Sequence, residues 1–150
     1  LKNSLLELKD NEVEILPQTM PPFPWHFGGQ KFHNLFLTSD WIKLFCEETK
    51  SRICLDISHS ALACNHFKHS FSSFLDTVLP HTAHLHIADA AGLDQEGLQI
   101  KEGDVDWNMV AEKITTDYQE ATWIPEIWQG HENDGQGFWT ALERLEKGGF

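Results

Sequence analysis

Four short apolar segments, each followed by a stretch of helical periodicity, constrain the fold of this chain more than any other feature. The segments cover residues 13–16, 53–57, 82–88 and 122–128. In the second segment, Ile53, Leu55 and Ile57 share one face of an extended chain, and Asp56 points to the other face. Strands that alternate with helices predict an α/β fold with a parallel sheet.

The segments between these strands either carry apolar side chains at helical spacing or are rich in loop-forming residues. We predict helices over residues 4–9 and 40–49, from residue 61 or 65 to residue 79, after Asp106, and from Phe138 onward. We predict loops over residues 17–34, with four prolines, over residues 89–106 and over residues 130–137. Connections of this kind suit parallel crossovers.

Four consecutive parallel βα units in 150 residues are compatible with two architectures. One is a small doubly wound sheet. The other is half of an eight-stranded (β/α)8 barrel, a fold that typically needs about 250 residues. We treat residues 1–150 as a single domain or fragment. Because the chain starts at Leu1 without Met, we expect it to be a piece of a longer polypeptide.

Composition argues against several classes of partner and compartment. The formal net charge of −12 would repel a nucleic-acid backbone or an anionic membrane surface. No apolar run approaches the roughly 18 residues of a membrane span, and no secretion signal is recognisable. The cysteines, Cys46, Cys54 and Cys64, form no CxxC pair, which favours a reducing cytoplasm over a disulfide framework.

Each predicted strand carries a strong metal-ligand residue near its carboxyl end. These residues are Glu14, Asp56, His86 and Glu126. Taken singly, Glu14 could be a solvated carboxylate and His86 a core histidine with its hydrogen bonds satisfied. Because the carboxyl ends of parallel strands gather at one edge of the sheet, the recurrence favours one shared metal site.

The composition of this ligand set indicates which metals it would hold. Three carboxylates and one imidazole are rich in oxygen, which favours Mn²⁺, Mg²⁺ or Co²⁺ with open positions for substrate oxygens. We expect Mn²⁺ first, with Zn²⁺ as a further candidate, although structural zinc sites normally use cysteines or more histidines.

Four motifs together resemble the xylose-isomerase-like TIM-barrel superfamily, which holds sugar isomerases, ketose 3-epimerases, inosose dehydratases and endonuclease IV. The motifs are Leu-Asp-Ile-Ser-His at 55–59, His-Leu-His-Ile-Ala-Asp at 84–89, Gly-Asp-Val-Asp-Trp at 103–107 and Ile-Pro-Glu at 124–126. The resemblance covers essentially the whole chain but matches only the C-terminal half of the barrel. The finer patterns at 96–100 and 125–131 are similar to a sugar phosphate isomerase/epimerase branch, associated with surface-sugar and sialic-acid-type biosynthesis.

The resemblance implies roles for individual residues. By it, Glu14, Asp56, His86 and Glu126 would be the metal ligands. His59 would bind substrate, and Asp89 would contact substrate or support the ligands. One departure is Lys101, which could bind an anionic group or simply be exposed.

Aromatic and polar residues near the predicted site indicate a pocket suited to a polyol. The candidates for substrate binding are Trp25, His26, Trp128, Gln129 and His131. Their rings can stack on sugar faces and their polar groups can bind hydroxyls. The alternative for Trp25 and Trp128 is ordinary core packing.

The leading functional prediction is a metal-dependent isomerase or epimerase of a sugar or sugar derivative. By the resemblance, Glu14 and Glu126 would exchange the proton of a C–H bond as base and acid while the metal stabilises an enediolate. Dehydration begins with the same proton abstraction and stays open. The alternatives are a non-catalytic sugar-binding or scaffolding domain and, less favoured by the charge, an endonuclease IV-like nuclease.

The predicted partners follow from the incomplete barrel. Four strands cannot close around a filled interior as eight strands do. We therefore expect the missing N-terminal half of the barrel, or a second copy of the chain, to cover the exposed sheet edges. A small sugar is the expected substrate.

Overall fold

The computed structural model describes residues 2–8, 13–26, 29–117 and 121–150, without the side chains of residues 2, 6, 25, 26, 30, 116 and 117. The helices are α1 (Lys2–Leu8), α2 (Ser39–Thr49), α3 (Ile57–Phe67), α4 (Phe71–Val78), α5 (Trp107–Asp117) and α6 (Glu132–Glu146), with a short 3₁₀ turn at Leu79–His81. The strands are β1 (Trp25–His26), β2 (Gly29–Gln30), β3 (Ile53–Asp56), β4 (Thr82–Ile87), β5 (Asp89–Ala91), β6 (Gln95–Leu98) and β7 (Thr122–Pro125).

The central sheet is parallel and follows chain order. Strands β3, β4 and β7 pair side by side, and β4 lies in the middle. A short extended segment, residues 17–19, adds to the free edge of β3. Thr19 N–H donates to the Cys54 carbonyl at 3.1 Å, and Cys54 N–H donates to the Pro17 carbonyl at 3.0 Å. The predicted α/β fold of four consecutive parallel units is therefore confirmed.

The position of the first strand differs from the prediction. Residues 13–16 do not pair in the sheet, and Val13 is 72% exposed. The pairing begins instead at Pro17, where the strand was predicted to end. Proline has no N–H to donate, but an edge strand can use its carbonyl alone. The paired segment therefore ends at Thr19 and not at Leu16.

Helices cover one face of the sheet and form the core with it. Ile53, Leu55, Leu85 and Ile87 are fully buried against these helices. The core side chains contributed by the helices include Ile42, Leu75, Val78, Val110 and Leu145. Since side chains alternate along a strand, the intervening residues face the other side of the sheet. Asp56 and His86 are therefore directed away from the helical layer.

The structure corrects several other element boundaries. The predicted helix ending at residue 79 is two helices, because Lys68 ends α3 in the left-handed conformation, with φ of 57°. The predicted loop 89–106 contains the β5–β6 hairpin. Strand β7 ends at Pro125, three residues before the predicted end. Helix α6 starts at Glu132, but its residues 133–135 have non-helical dihedral angles, so regular helix begins close to the predicted Phe138.

None of the helices in the described part of the chain combines the length and the apolar character needed to cross a membrane.

The cap of α4 offers a test of the break between α3 and α4. The Ser70 hydroxyl accepts a hydrogen bond from Ser73 N–H at 3.2 Å. We expect Ser70→Ala to lower the free energy of unfolding by about 1 kcal/mol, since a helix N–H loses its acceptor. Urea denaturation measures the change. Ser73→Ala is the matched control, because its exposed side chain is inside the helix, where alanine is favoured. Equal effects of the two substitutions would contradict the capping role.

Candidate metal centre

Asp56 is a buried carboxylate at the junction of β3 and α3. It is the last residue of the strand and the N-cap of the helix, and its Oδ1 accepts a hydrogen bond from His59 N–H at 2.9 Å. Only 2% of the residue is exposed. Burial raises the pKa of Asp56 to about 6, although the charge of His59 opposes the rise. A carboxylate in this position needs positive charge beside it.

His86 and Glu126 lie beside Asp56 because of the strand register. His86 is the β4 residue opposite Asp56, and Glu126 follows β7, its N–H donating to the Ile87 carbonyl at 3.0 Å. His86 Nδ1 is 2.7 Å from Glu126 Oε2 and 3.8 Å from Asp56 Oδ2. One ligand atom from each of the three residues lies within 4.8 Å of the other two.

The electrostatics of these three groups are strongly coupled. A hydrogen bond to the Cys54 sulfur and another to Glu126 raise the pKa of His86 to about 10. The hydrogen bond from His86 lowers the pKa of Glu126, against the effect of its partial burial. The proximity of Glu126 contributes to the raised pKa of Asp56. Two carboxylates and an imidazole in such close contact fit a divalent cation, which would neutralise both acids.

A cavity of about 380 Å³ opens beside these three residues. Its walls include His59, Trp128, Gln129 and His131, which are four of the residues predicted to bind substrate. Trp128 is 70% exposed, so it forms part of the cavity rim and not of the core. The structure thus brings these four side chains to the carboxyl edge of the sheet, where Glu126 also lines the cavity.

His59 connects two carboxylates at the cavity wall. Its Nδ1 is 3.0 Å from the Thr19 carbonyl oxygen and 3.2 Å from Asp56 Oδ2, and its Nε2 is 3.4 Å from Glu96 Oε2. Burial opposes the charge of the ring, but the hydrogen bond to Glu96 and the charge of Asp56 outweigh it. They raise the pKa of His59 to about 9. A cationic His59 is thus favoured between these groups.

Glu96 is a cavity residue that the sequence patterns did not single out. It lies on β6, and the β5–β6 hairpin brings it over the end of the sheet. Gly97 fixes the hairpin there, since its N–H donates to Ser58 Oγ at 3.1 Å and its carbonyl accepts from Trp128 N–H at 2.8 Å. A Cβ on Gly97 would lie 3.3 Å from Trp128 Cβ.

The model of the xylose isomerase-like TIM-barrel family matches residues 2–147. The chain belongs to this family. No curated protein sequence matches it.

Solved structures give the same fold. A D-tagatose 3-epimerase-like protein is 20% identical with a TM-score of 0.62, and the match covers 97% of this chain and 52% of that one. The 3-keto-D-glucoside 4-epimerase of E. coli is 18% identical with a TM-score of 0.66, covering 97% and 52%. An L-ribulose 3-epimerase is 14% identical with a TM-score of 0.68, covering 99% and 51%. This chain thus spans about half the length of each relative and corresponds to half of a barrel.

Glu14, predicted as metal ligand and catalytic residue, lies apart from the other three predicted ligands in this structure. Its side chain is exposed and accepts a hydrogen bond from Arg52 Nε at 2.9 Å. That hydrogen bond lowers the pKa of Glu14. Arg52 precedes β3, so both residues lie at the amino edge of the sheet, opposite Asp56. The cause is the shifted first strand, which places Gln18 at the carboxyl edge instead.

Asp89, predicted to contact substrate or to support the ligands, does not line the cavity. The residue is fully buried. Its carboxylate accepts hydrogen bonds from the Ala90, Lys101 and Val105 N–H groups and from Trp107 Nε1, at 2.8 to 3.1 Å. Asp89 therefore organises the loop after β4 by accepting hydrogen bonds from the N–H groups of that loop.

The remaining predicted site residues have simpler outcomes. Trp25 and His26 lie on β1, but their side chains are outside the part of the chain that the structure describes, so their roles stay predictions. Lys101 is exposed and does not line the cavity.

The role of Asp89 can be tested by removing its carboxylate. We expect Asp89→Ala to lower the free energy of unfolding by about 3–5 kcal/mol, since several buried donors lose their acceptor. Urea denaturation followed by tryptophan fluorescence measures the change. Glu112→Ala, at an exposed helical position on α5, should change it by less than about 0.5 kcal/mol. Asp89→Ala with unchanged stability would contradict this role.

Proposed function

We propose that the chain is the metal-binding part of an isomerase or epimerase that acts on a sugar or sugar derivative. Asp56, His86 and Glu126 would hold one divalent cation, with Mn²⁺ the first candidate and Mg²⁺, Co²⁺ and Zn²⁺ after it. The observation that carries this proposal is the convergence of three ligand atoms within 4.8 Å at the carboxyl edge of a parallel sheet. In this architecture that edge is the usual place of the active site.

The proposed chemistry is a proton transfer by Glu126. Its carboxylate is about 50% exposed and lines the cavity, so it can reach a C–H bond of a bound molecule. When bound, the cation would supply positive charge that stabilises the negative oxygen developing as the proton leaves. His59 would hydrogen-bond a substrate hydroxyl from the opposite wall while Asp56 and Glu96 keep its ring oriented.

The substrate class is proposed from the cavity and from the relatives. Polar groups of Gln129 and His131 can bind hydroxyls, and the exposed ring of Trp128 can cover a sugar face. The similar solved structures are named as a D-tagatose 3-epimerase-like protein, a 3-keto-D-glucoside 4-epimerase and an L-ribulose 3-epimerase. We extend this class to surface-sugar or sialic-acid-type intermediates as a proposal from the sequence patterns. The cytoplasm is the proposed compartment, which suits three buried, free cysteines.

The other candidate functions receive less support. An endonuclease IV-like nuclease would use a cluster of several metals and a basic groove. Within the described residues, a single group of possible metal ligands is found, and the net charge is −12. A purely structural or scaffolding domain would not need two buried or half-buried carboxylates around one point, because their mutual repulsion destabilises the fold.

Metal binding provides the first test. We expect Asp56→Asn and Glu126→Gln to weaken Mn²⁺ binding by more than about 100-fold. Loss of a direct ligand should exceed the 10- to 100-fold effect typical of residues that only support ligands. Isothermal titration calorimetry measures the affinity. Glu14→Gln is the matched control, because it removes a carboxylate at the amino edge of the sheet. This variant should bind Mn²⁺ with the affinity of the wild type. Wild-type protein that binds no divalent metal would refute the proposed function.

The open sheet suggests a second proposal, that the exposed edges pair with the missing barrel half or with a second copy of the chain. Ile124 on edge strand β7 is 46% exposed. For the chain alone, we expect sedimentation velocity to show concentration-dependent association. Ile124→Lys should reduce it by placing a charge on the edge. Trp139→Lys, an equally drastic change at a 64% exposed position on α6, should leave association unchanged. A wild-type monomer at all concentrations would contradict pairing between copies.

A further inference from the structure

Gln18 lies at the metal centre, although the sequence patterns gave it no role there. Its Nε2 donates a hydrogen bond to Asp56 Oδ2 at 3.0 Å and lies 3.1 Å from His86 Nδ1. The same His86 Nδ1 is 2.7 Å from Glu126 Oε2. Gln18 is therefore in contact with the ligand atoms themselves.

One of these contacts, the 3.1 Å separation of Gln18 Nε2 and His86 Nδ1, is not accounted for when His86 donates to Glu126. If His86 Nδ1 carries a proton for Glu126, it cannot also accept one from the Gln18 amide. Turning the amide by 180° places Oε1 near His86 but brings it against the oxygen of Asp56. A cation among the four groups removes each conflict, since all four then present lone pairs to it.

We propose that Gln18 is the fourth protein ligand of this centre, through its amide oxygen Oε1. The proposal rests on the metal site of the proposed function. Amide carbonyls are normal ligands of hard divalent cations. When the amide of Gln18 is turned by 180°, its Oε1 takes the position at which Nε2 now contacts Asp56 and His86.

The backbone holds Gln18 firmly in this position. It lies in the segment that pairs with β3, between the hydrogen bonds of Pro17 and Thr19 to Cys54. The Thr19 hydroxyl accepts from Asp56 N–H at 2.9 Å, which ties the segment to the residue beside Gln18. The four ligands then follow the strand order across the sheet, with Gln18 and Glu126 at the two ends and Asp56 and His86 between.

A neutral ligand at this position changes the charge of the site. The donor set carries two carboxylates, Asp56 and Glu126, in place of the three predicted, so a divalent cation would be neutralised without excess negative charge. An amide neither gives nor takes a proton under physiological conditions. The proton transfer assigned to Glu126 therefore has no second carboxylate at the opposite end of the ligand row.

Metal affinity of Gln18 variants tests this assignment. Isothermal titration with Mn²⁺ should show a loss of more than about 100-fold for Gln18→Ala, because a direct ligand is removed and not a residue that only supports ligands. Gln18→Glu should bind Mn²⁺ more tightly than wild type because it adds a charged oxygen at the same place. Gln95→Ala, at an exposed position on β6, is the matched control and should bind like wild type. Far-UV circular dichroism checks the fold of each variant, and Gln18→Met replaces Gln18→Ala if that variant does not fold.

The outcomes separate this assignment from the proposed function. Unchanged affinity in both Gln18→Ala and Gln18→Glu, with affinity lost in Asp56→Asn, would overturn the Gln18 assignment and leave the three-residue site standing. Absence of Mn²⁺ binding in the wild type would overturn both. A crystal structure with Mn²⁺ should place Gln18 Oε1 about 2.0–2.6 Å from the ion, and a longer separation would overturn the assignment.

Discussion

The buried carboxylate of Asp56 is the constraint on which the rest of this half-barrel depends. It ends β3, caps α3 through His59 N–H and lies against His86 in the next strand. Burying a carboxylate is costly unless hydrogen bonds and positive charge surround it. The groups that meet this need, His59, His86 and the amide of Gln18, are the same groups that build the candidate site. The groups that offset the cost of burying Asp56 are therefore the groups that form the candidate metal centre.

The parallel register decides which side chains can meet. Asp56 lies opposite His86, and His86 lies opposite Ile124, so Glu126 follows the end of its strand beside the pair. Alternation along β4 sends Leu85 and Ile87 into the helical core and leaves the histidines on the other face. That face would be the interior of a complete barrel. In this chain it is open at β7, which is why the edge strand exposes apolar residues.

The motif at residues 84–89 ends in Asp89, and this residue has a structural role in the loop after β4. Asp89 gathers the N–H groups of the loop, and Gly103 packs so closely against it that a Cβ would lie 2.4 Å from Asp89 Oδ1. This arrangement supports the β5–β6 hairpin, which in turn carries Glu96 to His59. Asp89, which is close to His86 in sequence, thus acts by accepting hydrogen bonds from backbone N–H groups. Glu96, further along the chain, is the acidic residue that lines the cavity.

The sequence by itself determined the parallel α/β class, the family and the three residues that converge at the candidate metal centre. Each of these residues, Asp56, His86 and Glu126, lies near or just after the end of an apolar strand. The carboxyl ends of parallel strands gather at one edge of the sheet for any structure of the loops. Only the tertiary structure decided which residue of the first segment lies beside these three residues, and that residue is Gln18. The hydrogen bonds of Pro17 and Thr19 to Cys54 set the register of an edge segment, and no local preference of residues 13–19 encodes that register. The same holds for Glu96 and Asp89, whose roles depend on how a long loop folds back over the sheet.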